Sequence, residues 1–216
     1  MIKAAIFDMD GLMFDTESAY SVVQGAMSER RGKMFTNEIK RTLMGKMAHE
    51  VMGLLNVFWG KNEAIGDLLK EQDEELVKVY KNSVEKLTGL DNLIDFLNQN
   101  NIRKCIGTSS RRFLVDVLFK KHNLANTFEF VVSGDMVTKG KPDPEIYNQC
   151  VARLDMPARE CLVLEDSLNG IKAGALAGCN TCAIPSEYTR GEDFSIATFV
   201  CGSLNDQAIK DFILSR

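Results

Sequence analysis

The chain has 216 residues, 45% of them hydrophobic, and a formal net charge of −4. That is material for one large or two small cored domains, and a pI near 5.4 argues against a binder of nucleic-acid phosphates. No run of about 18 apolar residues is present to span a bilayer, and a strand-like run begins within two residues of Met1, so a signal peptide is not expected and a cytoplasmic location is the default.

In chain order, Ile2 to Phe7 is an apolar run that predicts a strand. From Glu17 to about Lys86 the apolar spacing is helical, as in Leu76, Val79, Tyr80, Ser83 and Leu87, which predicts an all-helical insert. The insert leaves after the first strand and returns near Leu87, so it is expected to hang over the strand ends as a lid, with hinges at Phe14 to Thr16 and Glu85 to Gly89. A helix carrying Leu90, Leu93, Ile94 and Leu97 follows, then a strand at Lys104 to Gly107, a helix with Phe113, Leu114, Val117 and Leu118, and a strand at Phe128 to Val132. Pro144 to about Leu154 reads as a helix with proline at its start, Cys161 to Leu164 as a strand, Ser167 to Ala177 as a Ser-capped helix ending at Gly178, and Thr181 to Ile184 as a strand. Short apolar strands alternating with helices imply a parallel sheet covered on both faces, an α/β Rossmann-like core. The core is expected to comprise residues 1–15 and 88–216, and the α-helical cap domain residues 16–87.

The six cysteines, at positions 105, 150, 161, 179, 182 and 201, fall largely in apolar runs and read as small core residues. Cys179 and Cys182 have redox-motif spacing, but they lead into a strand and no second pair or nearby histidine completes a zinc site.

The strand ends carry the chemistry, because ligands of open α/β sheets bind at the carboxyl ends of strands. Asp8-Met9-Asp10-Gly11 places two carboxylates at the end of the first strand. Such neighbours coexist by sharing a cation or by dividing nucleophile and acid/base roles; an acidic strand-terminating turn is the alternative. Thr108-Ser109-Ser110 offers hydroxyls and N–H groups at a helix start, either as a phosphate cradle or as ordinary helix capping. Lys139-Gly140-Lys141-Pro142-Asp143-Pro144 is a stiffened loop, either holding a lysine near the site or forming a surface turn. Glu165-Asp166-Ser167 is a second acidic pair, whose other reading is charge and capping for the next helix.

These four signals, in this order on successive strand ends, resemble the haloacid dehalogenase (HAD) superfamily. The similarity is to its branch with a helical cap inserted after the first motif, the phosphatase and β-phosphoglucomutase-like group, and it extends over essentially the whole chain. The resemblance implies Asp8 as the nucleophile that becomes an aspartyl-phosphate and Asp10 as the general acid/base. It implies Mg2+ held by Asp8, the backbone carbonyl of Asp10 and Asp166, with Glu165 as ligand or neighbour. It further implies phosphoryl binding by Thr108 and the N–H of Ser109, and charge stabilisation by Lys141, which is preferred over Lys139 because it precedes Pro142. Dehalogenases lack the second acid, so Asp10 argues for phosphate chemistry.

Asp15-Thr16-Glu17 with Tyr20 looks like the phosphatase version of the stretch after the first motif, since β-phosphoglucomutases carry histidine where this chain has Tyr20. Mutases also place an arginine after the cap glycine, whereas Met44-Gly45-Lys46-Met47-Ala48-His49-Glu50 has none. Gly32-Lys33-Met34-Phe35-Thr36 and Met44-Gly45-Lys46 look like caps of pseudouridine 5′-phosphatase-like and sugar-phosphatase-like members. Glu17 and Lys46 are therefore the substrate-binding candidates of the cap, with a solvated charge as the other reading of Lys46. Gly45-Lys46 and Gly140-Lys141 are not P-loops, because Lys40 and Asp135 stand where the earlier glycine is needed. His49 and His122 lie in no nucleophile-elbow context, so a Ser-His-Asp hydrolase is excluded, and His122 reads as structural.

The expected activity is a Mg2+-dependent phosphatase of small phosphorylated metabolites, a sugar phosphate or nucleotide-like monophosphate. It would act as a monomer or weak homo-oligomer without nucleic acid or membrane partners. A sugar phosphate mutase and a non-catalytic phosphometabolite binder are the alternatives, the latter having no need of an acid/base at Asp10.

Overall fold

The computed structural model describes residues 1–43 and 46–215. The chain starts with strand β1 (Ala4–Phe7) and continues into helices α1 (Thr16–Arg30), α2 (Asn37–Leu43), α3 (Ala48–Trp59) and α4 (Ile65–Ser83). Then come α5 (Leu90–Gln99), β2 (Arg103–Gly107), α6 (Arg112–Lys121), β3 (Val131–Val132), α7 (Glu145–Leu154), β4 (Cys161–Glu165) and α8 (Leu168–Leu176). The chain closes with β5 (Asn180–Ala183), β6 (Phe199–Val200) and α9 (Gln207–Leu214). Two units result, Met1–Asp15 with Glu85–Arg216, and Thr16–Val84.

In the α/β unit the strands form one sheet of order β3-β2-β1-β4-β5-β6, every pair parallel. The chain adds strands on one side of β1 through β3, then crosses to the other side for β4, so β1 and β4 flank the point where strand order reverses. A crevice at the carboxyl ends of such strands is the usual ligand site of open α/β sheets. β1 and β4 are buried at every position, which explains their unbroken apolar runs. Alternation puts Ala4 and Ile6 of β1, and Cys161 and Val163 of β4, in one core cluster with Ile146, Tyr147, Cys150 and Leu154 of α7. All six cysteines are buried and free.

The structure departs from the sequence reading at several edges. β3 is only Val131–Val132, shorter than the Phe128 to Val132 run, because Phe128 packs against Phe7 and Phe119. Phe113 is exposed on α6, whose buried side carries Leu114, Val115, Leu118 and Phe119 instead. β6 and α9 were not anticipated. Residues 85–87, placed in the cap by the sequence reading, group with the α/β unit: Lys86 bridges to Phe14, and the Leu87 N–H donates to the Met13 carbonyl at 2.8 Å. His122 caps α6 and stacks on Phe14 at 5.2 Å.

The helical unit has its own interior. On α4, Leu68, Gln72, Leu76 and Tyr80 are buried at a strict four-residue spacing, the stripe a helix turns toward its neighbours. Gln24 of α1 donates to Gln72 at 3.1 Å, and the Trp59 indole donates to Ser28 at 2.9 Å. Arg31 lies over the Trp59 ring at 4.4 Å and pairs at 2.7 Å with both Glu63 and Glu71. No helix among the described residues is long and apolar enough to cross a membrane.

The Arg31 hydrogen bonds lower the carboxyls of Glu63 and Glu71 below their ordinary 4.5. A carboxyl depressed in the folded state contributes stability that is fully present above its unfolded value and lost as pH falls through the folded one. Arg31→Met is expected to cost about 1 kcal/mol at neutral pH and to flatten the loss of stability on acidification below pH 4.5, read in urea melts of both proteins across pH.

Candidate active site

The register of β1 and β4 creates the site. Phe7 pairs with Leu164, and the Asp8 N–H continues the ladder to the Leu164 carbonyl at 3.0 Å. Asp8 and Glu165 therefore emerge side by side, on the same sheet face as Ala4 and Ile6, and Cys161 and Val163, by strand parity. Both are buried, at 5% and 1% exposure, as is Asp166 at 6%. Ligand oxygens of Asp8, Glu165 and Asp166 all lie within 4.8 Å of one another.

Lys141, carried by the loop before α7, reaches into this group. Its ammonium donates to Asp8 Oδ1 at 2.6 Å, Glu165 Oε1 at 2.7 Å and the Gly107 carbonyl at 3.0 Å, which uses all three of its N–H bonds. Lys139 instead stays in solvent beside Asp143 at 3.6 Å. Burial pushes the Asp8 carboxyl well above its ordinary value, and the nearby charges of Glu165 and Asp10 add to the rise while Lys141 opposes it. Burial works against the Lys141 ammonium too, but Asp8 and Glu165 outweigh it and hold the amine charged. The cluster carries more negative charge than one lysine neutralises, the condition in which buried carboxylates bind a cation or a proton.

Two glycines make room for these acids. Gly11 turns the chain at φ +75°, and a Cβ there would lie 2.3 Å from Asp166 Oδ2. A Cβ on Gly170 would fall 1.6 Å from Glu165 Oε1. Glu165 Oε2 in turn accepts from the N–H and hydroxyl of Ser167 at 2.9 Å each, and Ser167 caps α8 through Gly170 at 3.1 Å.

Asp10 belongs to a different set. Its Oδ2 accepts from Thr108 at 3.0 Å and Ser110 at 2.7 Å, while its Oδ1 is buried without a hydrogen-bond partner. Thr108 thus gives its proton to Asp10, and its own oxygen accepts from the Ser110 N–H at 3.1 Å. Ser109 is exposed at the same loop. The side chain of Asp10 lies outside the Asp8, Glu165 and Asp166 group, so its expected share in a cation site falls to the backbone carbonyl.

Of the cap candidates, Glu17 sits in the first turn of α1, where its carbonyl accepts from Ser21 at 2.8 Å. Lys46 and Met47 are exposed ahead of α3, and His49 is exposed in its first turn; Met44 and Gly45 lie outside the described residues. Sequence reasoning placed Ser110 in a phosphate cradle or helix cap and assigned no role to Tyr147; the Ser110 hydroxyl instead donates to Asp10. The Tyr147 hydroxyl, which donates to Glu165 at 3.0 Å, had no legible signal beyond a tyrosine on an apolar helix face.

Comparison with known proteins identifies the family of the chain. The family model described as haloacid dehalogenase-like hydrolase matches residues 5–184. The chain belongs to that family, and it is an enzyme of it, a phosphatase. The phosphorylated carbohydrates phosphatase of Thermotoga maritima is 30% identical over 82% of both chains. Two crystal structures of CbbY from Rhodobacter sphaeroides, one with phosphate and one of a mutant with xylulose-(1,5)bisphosphate, each superpose with a TM-score of 0.85. Each is 27% identical, over 95% of this chain and 96% of that one.

Gly170→Ala is expected to expel the Glu165 carboxylate from its place, destabilising the fold by about 2 kcal/mol or more in a urea melt. Gly53→Ala, where a Cβ meets nothing within 4 Å, is the control that should not destabilise.

Proposed function

We propose that the protein is a Mg2+-dependent phosphatase of small phosphorylated metabolites, phosphorylated carbohydrates foremost and nucleotide-like monophosphates next, working through a phosphorylated Asp8. The observation that carries the reading is the separation of two strand-end acids: Asp8 bound by Lys141 in a cluster of carboxylates, and Asp10 held on one oxygen by two hydroxyls with the other unpaired. The names of the relatives support the carbohydrate assignment.

Asp8 and Asp166, with the Asp10 carbonyl, are hard oxygen donors suited to Mg2+, and the room that Gly11 leaves keeps Asp166 beside the first motif; Glu165, whose oxygens already accept from Lys141, Tyr147 and Ser167, stands beside them. When bound, the cation supplies charge neutralisation between an anionic nucleophile and an anionic phosphate.

In this reading Asp8 attacks phosphorus and the ester P–O bond breaks. Asp10, protonated for this step, gives its proton to the departing alcohol oxygen. Asp10, now ionised, takes a proton from water, whose oxygen attacks phosphorus; the P–O bond to Asp8 breaks, and inorganic phosphate and the Asp8 carboxylate are restored. Lys141 holds Asp8 in place and offsets charge on the transferring group. Thr108 and Ser110 orient Asp10, and the N–H of Ser109 is assigned to the phosphoryl oxygens.

A panel of sugar, polyol and nucleoside monophosphates with Mg2+, scored by released phosphate, tests the reading. Turnover should concentrate on sugar phosphates and stop on addition of a chelator. Asp8→Asn should abolish turnover without loss of fold. Asp10→Asn should slow it by about 100-fold or more while the aspartyl-phosphate still forms on a substrate with a good leaving group. Undiminished hydrolysis by Asp8→Asn would refute the mechanism.

A further inference from the structure

Glu165 is fully occupied by protein donors. Lys141 and Tyr147 bond its Oε1 at 2.7 and 3.0 Å, and the Ser167 N–H and hydroxyl bond its Oε2 at 2.9 Å each. An ionised carboxylate has about four lone-pair sites, so these bonds saturate it. Tyr147 touches both partners of the buried ion pair. Its hydroxyl takes the second site on Glu165 Oε1, and its ring lies 4.9 Å from the Lys141 ammonium, within the range of a cation–π attraction.

Packing alone does not require the hydroxyl. Tyr147 is buried at 0% exposure on the α7 face that meets the sheet core, a place phenylalanine fills equally well. The hydroxyl has a purpose where it is because Glu165 reaches it, at 3.0 Å. Without it, one lone pair of a buried carboxylate loses its partner, and Oε1 is held against Lys141 by the ammonium alone.

We propose that Tyr147 is a positioning residue for phosphoryl transfer: hydroxyl and ring together fix Glu165 on Lys141 and Lys141 on Asp8 Oδ1, leaving Asp8 Oδ2 as the attacking oxygen. The proposal rests on the assignment of Asp8 as nucleophile. Tyr147 acts through its neighbours; its contribution is to the geometry of the nucleophile and not to binding of the leaving group.

The test is Tyr147→Phe in the full chain, assayed with Mg2+ on p-nitrophenyl phosphate and on a sugar phosphate, with a crystal structure of the metal-free variant. The expected result is a kcat about tenfold lower on both substrates, KM within about twofold of wild type, and Lys141 displaced from Asp8 or Glu165 in the metal-free structure. A kcat equal to wild type, or a Lys141 unmoved in the structure, overturns the proposal, and so does a loss confined to KM. Should the variant not fold, 3-fluorotyrosine at position 147 keeps the shape and alters only the strength of the donor. A changed kcat at constant KM then supports the role, and an unchanged kcat overturns it. Wild-type protein that hydrolyses neither substrate would condemn the phosphatase reading itself, which the Tyr147 result cannot do.

Discussion

A buried ammonium shared by two buried carboxylates is the constraint on which the catalytic unit depends. Lys141 bonds Asp8 and Glu165 at 2.6 and 2.7 Å with 7% of its side chain exposed. Removing one partner from such a group leaves a charge uncompensated in low dielectric, which costs far more than the pair contributes as a whole. The surroundings are arranged to keep the group intact. Neighbouring strands bring the two acids to one face, Gly170 gives Glu165 its space, and Ser167 and Tyr147 fill its remaining lone pairs.

The same crowding separates two aspartates that are two residues apart. Asp8 lies among other carboxylates and against an ammonium, whereas Asp10 meets two hydroxyls. Different surroundings are how neighbouring acids acquire different tasks. The loop after β2 supplies the hydroxyls that hold the second. The topology puts these parts together because β1 sits between β2 and β4.

The helical unit is held by other means. Its interior mixes an apolar stripe on α4 with buried polar contacts: Gln24 to Gln72, Trp59 to Ser28, and Arg31 over Trp59. Buried polar groups of this kind are costly when left unpaired and specify one arrangement when satisfied. Asn56 adds to this by bonding both the N–H and the carbonyl of Glu63 across the turn after α3.

The sequence by itself determined the alternation of elements, the interruption by a helical insert, and the acids, hydroxyls and lysine at the strand ends. Those features are local: an unbroken apolar run such as Ala4 to Phe7, a Ser167 cap and the polar residue that follows a strand are each set by neighbours in the chain. Tertiary structure alone decided which polar atoms meet. Thr108 gives its proton to Asp10, Glu165 is shared between Lys141 and Tyr147, and Phe128 leaves its strand for Phe7 and Phe119. All but the Phe119–Phe128 contact join residues 18 or more positions apart, and their partners are fixed by sheet order and register, which the pattern along one chain does not contain.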